Sequence, residues 1–192
     1  MKILIIPSWY PNKANPIWGN YFIKQAEALN NYAEVSFLNV NRVGIKEFNE
    51  LFKQKKQDGY TTKKYPFHFC QKSILNVKGI NLDWSYKRYQ KAMYKAYKTL
   101  EKQIGKVDII LVESILPAGL GALYISKKEN IPYIIHHHSL DVLTNPLYKK
   151  YNEEVLKNAK YCMAVQDEIK EQIELFGKKC DILPNYIYSE KF

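Results

Sequence analysis

Short, uninterrupted apolar runs punctuate this chain and alternate with helical patterns. Lys2–Pro7 reads KILIIP, Val107–Val112 reads VDIILV, and Ile131–His138 opens IPYII. Runs this short, apolar on successive residues rather than on alternate ones, are strands covered on both faces, the signature of a parallel sheet. After the first run comes a loop rich in Pro and Asn, Pro7–Pro16, and then Gly19. Phe22, Ile23, Ala26 and Leu29 follow at helical spacing, and Ala33–Val40 reads as a second strand. Strand, loop, helix and strand make a βαβ opening.

The stretch from Asn41 to Asp83 is less regular, with one strand expected at Tyr65–Cys70. Asp83 is the expected N-cap of a long helix. Tyr86, Tyr89, Met93, Tyr97, Leu100 and Ile104 form its apolar face, and Lys91, Lys95, Lys98 and Lys102 form a second stripe. Beyond Gly105 the rhythm is regular. Strands at Val107–Val112, Ile131–His138, Tyr161–Val165 and Cys180–Leu183 alternate with helices at Pro117–Lys128 and Pro146–Asn158, and with one capped by Asp167 and ending at Gly177. The expected fold is α/β: a Rossmann-like, doubly wound, mainly parallel sheet with helices on both faces.

A length of 192 residues suits a single domain with a full core. The three cysteines, Cys70, Cys162 and Cys180, are too scattered for a disulfide framework or a zinc cluster, which points to a reducing, cytoplasmic setting. The N-terminal run ends too early for a signal peptide, and no run is long enough to span a membrane. The net charge of +10 is carried entirely by residues 42–102, where 15 basic residues face 5 acidic ones. Such an excess concerns partners: phosphates, an anionic membrane surface or nucleic acid. This stretch lies away from Gly19 and His138 in sequence, which suggests a surface apart from any crevice those two residues line.

In doubly wound sheets ligands bind beyond the carboxyl ends of the strands. Two features fall there: the Pro7–Asn20 loop leading through Gly19 into a helix, and His138-Ser139-Leu140-Asp141 after a later strand. The first lacks G-x-G-x-x-G and G-x-x-x-x-G-K-[ST], which disfavours a dinucleotide oxidoreductase or a P-loop NTPase. Along a strand His136 and His138 share one face while His137 points away. Two such imidazoles could ligate zinc, yet no cluster of Cys, Asp or Glu at ligand spacing accompanies them, so no metal is expected. A neutral His at a strand end can instead hydrogen-bond a substrate hydroxyl or support developing charge.

Ile5-Ile6-Pro7-Ser8-Trp9-Tyr10-Pro11, then Asn15-Pro16, Gly19, Phe22 and Gln25-Ala26-Glu27-Ala28-Leu29, resembles the opening of family 4 retaining glycosyltransferases. Pro117-Ala118-Gly119 and Ile131-Pro132-Tyr133 leading to His138-Ser139 are similar to the family's second landmark. Asn158-Ala159-Lys160 with Val165, and Leu183-Pro184-Asn185 with Phe192, look like its approach to the interdomain linker. Gln166 and Tyr186 depart from the family's usual Ser and Gly.

The resemblance implies a GT-B enzyme of two facing Rossmann-like domains. Residues 1–192 would be the N-terminal, acceptor-side domain, with 184–192 entering the linker and the C-terminal nucleotide-sugar domain absent. It implies transfer of a hexosyl group from a nucleotide-sugar donor to a glycan or lipid-linked acceptor with retention, in polysaccharide biosynthesis and without a metal cofactor. By itself the chain would be inactive. His138 matches the catalytic histidine beside the reacting sugar. Gly19 matches the glycine facing donor phosphates and acceptor, with Asn20 beside it, and Ser139 and Asp141 match the short loop after His138. Lys91, Lys95 and Lys98 would face an acceptor or the inner surface of the membrane, to which the protein would bind peripherally. The alternative is a non-enzymatic module docking on anionic membrane or nucleic acid through residues 42–102. No recognition motif supports nucleic acid, and none is expected as a partner.

Overall fold

The computed structural model describes residues 1–10, 19–44, 61–62, 67–76 and 81–185. Among them one sheet runs through the molecule, in the order β3-β4-β2-β1-β5-β6-β7-β8. The strands are β1 (Lys2–Pro7), β2 (Glu34–Val43), β3 (Thr61–Thr62), β4 (His68–Leu75), β5 (Ile109–Glu113), β6 (Tyr133–His137), β7 (Tyr161–Ala164) and β8 (Asp181–Ile182). Every pairing is parallel except β3 with β4, which is antiparallel at the edge. From β1 the chain moves outward through β2 to β4, then returns to build the other half from β5. The switch point therefore lies between the carboxyl ends of β1 and β5.

The helices are α1 (Asn20–Leu29), α2 (Leu82–Ile104), α3 (Ala118–Glu129), α4 (Asp141–Thr144), α5 (Lys149–Asn158) and α6 (Asp167–Glu174), with a 3₁₀ turn at Pro146–Tyr148. Strand β1 shows why its sequence is apolar throughout. Leu4 and Ile6 enter a large core shared with α2, α3, α5 and α6, while Ile3 and Ile5 enter a smaller one with α1, Phe37 and Phe67. Helix α2 buries Tyr86, Tyr89, Met93, Ala96, Tyr97 and Leu100, the face its periodicity predicts. Small residues in α3 let it sit close. A Cβ on Gly119 would meet Val155 Cγ1 of α5 at 2.6 Å, inside any real contact distance. Cys70, Cys162 and Cys180 are all buried.

Several boundaries differ from the sequence reading. The strand expected at Tyr65–Cys70 is β4, His68–Leu75, displaced toward the C-terminus by its eight-residue parallel pairing with β2; Tyr65 and Pro66 lie outside the described residues. The cap of α2 is Asn81, whose Oδ1 accepts from the N–H groups of Asp83 (2.9 Å) and Trp84 (3.3 Å). Asp83 instead ties α2 to α5, accepting from Tyr151 Oη at 2.5 Å and pairing with Lys150 at 2.8 Å. Asp167 is the first residue of α6 rather than its cap, which is Gln166, and the helix ends at Glu174, before Gly177. Pro11, Asn15, Pro16, Tyr186 and Phe192, and most of the basic stretch between residues 45 and 66, lie outside the described residues.

Candidate functional site

Strand register brings together residues that are distant in sequence. In the β1–β5 pairing Pro7 faces Glu113, and in β5–β6 Glu113 faces His136. Because side chains alternate, His136 and His138 emerge on one face with ring centroids 4.3 Å apart. Glu113 lies between them, completely buried. Its Oε2 is 2.7 Å from His138 Nε2 and 3.4 Å from His136 Nδ1. The far nitrogen of His136, Nε2, donates to the carbonyl of Leu183 at 2.7 Å. Burial alone would push the Glu113 carboxyl up, but hydrogen bonding and attraction from His136 and His138 outweigh it and hold Glu113 below the ordinary carboxylate range. Burial likewise opposes a charged His136, and Glu113 overrides it, raising that imidazole above its ordinary value.

His137 points the other way. Its Nδ1 lies 3.0 Å from Ser114 Oγ and accepts the Ile115 N–H at 3.3 Å, so the ring is neutral with its proton on Nε2. Burial, reinforced by repulsion from His138 and His136, pushes it down to about 3. Ser114, which follows the last residue of β5, holds a positive φ of 83°, in the left-handed region.

Aromatic rings close over His138. The centroids of Phe22, Tyr21 and Trp9 lie 5.2, 5.3 and 6.4 Å from it. Gly19 sets this arrangement. Its φ of 73° turns the chain into α1, and a Cβ there would stand 2.9 Å from the Phe22 ring and 3.2 Å from the Trp9 carbonyl. Backbone conformation and packing thus account for this glycine. Asn20 is the first residue of α1. On the other side of His138, Ser139 Oγ accepts the Asp141 N–H at 3.3 Å, and exposed Asp141 opens α4. Next to this cluster, a cleft of about 300 Å³ is lined by Ser8, Trp9, Tyr10, Asn41, Arg42 and Asn76, among others. Arg42 Nη2 donates to Asn76 Oδ1 and Ser85 Oγ, each at 3.0 Å. The first residue of the basic stretch therefore borders the crevice, contrary to the separation that sequence distance suggests.

His138, Gly19, Asn20, Ser139 and Asp141 are gathered at the carboxyl edge of the sheet, beside the switch point. The lysines are not: they lie along α2. Lys91 and Lys95 are exposed, whereas Lys98 pairs with Glu101 and with Glu129 of α3. Glu113 went unnoticed in the sequence. The available signal was an acid closing an otherwise apolar strand, Ile-Ile-Leu-Val-Glu.

Residues 61–191 match the family model described as Glycosyltransferase Family 4. The chain belongs to this family. No curated protein matches it. Among solved structures it is similar to a putative UDP-N-acetylglucosamine 2-epimerase from Listeria monocytogenes, at TM-score 0.56 and 11% identity, over 93% of this chain and 43% of that one. The UDP-GlcNAc 2-epimerase from Methanocaldococcus jannaschii gives 0.55 and 15%, over 96% and 46%. That from Neisseria meningitidis, bound to UDP-GlcNAc, gives 0.53 and 10%, over 96% and 47%. The chain spans a little under half the length of these structures. At such identities the likeness shows the fold: the family 4 chain has the Rossmann-like architecture of one half of a GT-B molecule. It is a glycosyltransferase-type domain. No helix among the described residues is long and apolar enough to cross a membrane.

Proposed function

We propose that this chain is the N-terminal, acceptor-side half of a retaining hexosyltransferase that uses a nucleotide-sugar donor and a glycan or lipid-linked acceptor in polysaccharide biosynthesis. A second Rossmann-like domain would hold the nucleotide. The cleft bordered by Trp9, Arg42 and Asn76 would receive the acceptor, and the backbone at Gly19 and Asn20 would face the donor diphosphate. The enzyme would work in the cytoplasm, with Lys91 and Lys95 toward an anionic membrane surface.

The observation that carries this reading is His138 at the switch point, its Nε2 committed to buried Glu113 at 2.7 Å and its Nδ1 buried without a hydrogen-bond partner. A buried, unpaired ring nitrogen is unfavourable unless a ligand engages it, and a sugar hydroxyl is such a ligand. A carboxylate behind the imidazole also suits the positive charge that develops at an anomeric carbon as its diphosphate departs. Domain closure would exclude water, so residues 1–192 alone should transfer little or no sugar.

The test is incorporation of labelled sugar from a panel of nucleotide-sugars into glycan and lipid-linked fractions by the native protein and by His138→Ala. The variant should keep its circular dichroism spectrum and lose nearly all transfer, and the product should keep the donor's anomeric configuration by NMR. Equal transfer by a folded His138→Ala protein would refute the role of His138.

A further inference from the structure

Arg42 stands near the carboxyl end of β2 and lines the cleft beside the switch point. Building on the glycosyltransferase reading, we propose that Arg42 and Asn76 bind a phosphate group carried by the acceptor. The acceptor is then a phosphorylated one, either a sugar phosphate or a sugar joined to lipid through diphosphate.

Arg42 brings a charge that the protein leaves uncompensated. Among the described residues no carboxylate pairs with it, and no acid lines the cleft. Asp83, on the same turn of α2 as Ser85, is committed to Lys150 and Tyr151. Tyr86, whose ring centroid lies 5.6 Å from the guanidinium carbon, is pushed up to about 12 chiefly by burial and so stays neutral. The N-terminal turn of the long α2, which carries Ser85, adds partial positive charge on the same side.

Hydrogen-bond polarity points to the same ligand. A guanidinium only donates. Arg42 Nη2 gives its bonds to Asn76 Oδ1 and Ser85 Oγ, each at 3.0 Å, and these fix the side chain. Asn76 thus spends its acceptor on Arg42 and keeps its amide hydrogens for another partner, as Ser85 keeps its hydroxyl hydrogen. Arg42 Nη1 and Nε carry the remaining donors. Several donors with their acceptors already spent suit a ligand that only accepts, and a phosphate offers charge and three peripheral oxygens. Trp9 lines the same cleft, and its ring centroid lies 6.4 Å from that of His138. A hexose against Trp9 places its phosphate at Arg42 and turns a hydroxyl toward His138. The cleft, of about 300 Å³, admits a ligand of that size.

The chain has two arginines, Arg42 and Arg88, so labelling with ¹³C,¹⁵N-arginine gives two guanidinium signals in NMR spectra. Arg42→Gln identifies the Arg42 signal by deleting it. The labelled chain is titrated at constant ionic strength with glucose 1-phosphate, a farnesyl-diphosphate-linked hexose, glucuronate and methyl glucoside. Both phosphates should shift the Arg42 signal saturably, at about millimolar Kd or tighter, and methyl glucoside should not. Tighter binding of the farnesyl compound identifies a lipid-linked acceptor, and equal or weaker binding a sugar phosphate. Arg42→Gln should weaken phosphate binding about 10- to 100-fold in calorimetry, and in the native protein raise the acceptor KM by as much while the donor KM holds. An Arg42 signal unmoved by either phosphate overturns the proposal. So does a response to glucuronate as strong as to phosphate, or a rise in donor KM in place of acceptor KM. Sugar transfer by a native protein whose Arg42 ignores phosphate removes this site alone. Phosphate binding at Arg42 in a native protein that transfers no sugar from any donor supports the anion site and removes the glycosyltransferase reading.

Discussion

Replacing Ser114 by alanine and, separately, by glycine distinguishes two energies that this residue combines. Ser114 is buried, holds a φ of 83°, and places Oγ 3.0 Å from His137 Nδ1. Its N–H donates to the His136 carbonyl at 2.8 Å, a bond that both variants keep. Alanine removes only the hydroxyl contact. His137 Nδ1 still accepts from the Ile115 N–H at 3.3 Å, so no ring nitrogen is newly orphaned and the loss should be about 1 kcal/mol. Glycine loses the same contact and also releases the left-handed strain on a Cβ-bearing residue, about 1–2 kcal/mol. Against this stands the greater freedom of glycine in the unfolded chain, about 0.4–1 kcal/mol. The difference leaves glycine about 1 kcal/mol more stable than alanine and close to the parent. Equilibrium urea unfolding followed by circular dichroism resolves this, with the midpoint of alanine below the other two at constant m. If glycine proves equal to alanine or less stable, the strained turn is not where the energy lies.

The histidine run also predicts acid sensitivity. His137 is pushed from 6.5 down to about 3 in the folded protein, so between those values the unfolded chain binds the extra proton and stability falls as pH drops. From pH 7 to pH 5 this amounts to about 2 kcal/mol, and His137→Asn, which keeps an acceptor near Nδ1, should flatten that slope in chemical denaturation. His136 acts in the opposite sense. Its raised folded value gives stability that is complete below 6.5 and is lost as pH rises from there through the higher folded value. On the outer surface, Lys91→Glu with Lys95→Glu should reduce cosedimentation with phosphatidylserine vesicles and its dependence on salt, at roughly 1 kcal/mol per lysine removed. Unchanged vesicle binding would remove the membrane from the proposed function.

What was legible in the sequence was whatever local chemistry dictates. The apolar run of β1 announces a strand buried on both faces, and the tyrosine-rich period of α2 announces the face it buries. The alternation of the histidines was readable for the same reason, since a strand has only two sides. What escaped depends on pairing between distant segments. Glu113 stands 25 residues before His138, and only the β5–β6 register makes them neighbours. Lys98 looks like one more member of a solvated stripe until α3 delivers Glu129 to it. Asp83 has the residue type of a cap, yet Asn81 takes that position and Asp83 is drawn to Lys150 and Tyr151 of α5. In each case the local preference was sound, and a partner that only the tertiary fold supplies decided the outcome.

The three cysteines make the sheet report on its own opening. Cys70 lies on β4, on one side of the central strands, while Cys162 on β7 and Cys180 just before β8 lie on the other. Burial pushes the Cys162 thiol up to about 12 and the Cys180 thiol up to about 11, so neither offers appreciable thiolate while the fold is closed. A thiol reagent added to the native protein therefore reacts only as fast as each side breathes. Mapping which cysteine is modified first would time the fraying of the two flanks separately, using residues that the chain already carries.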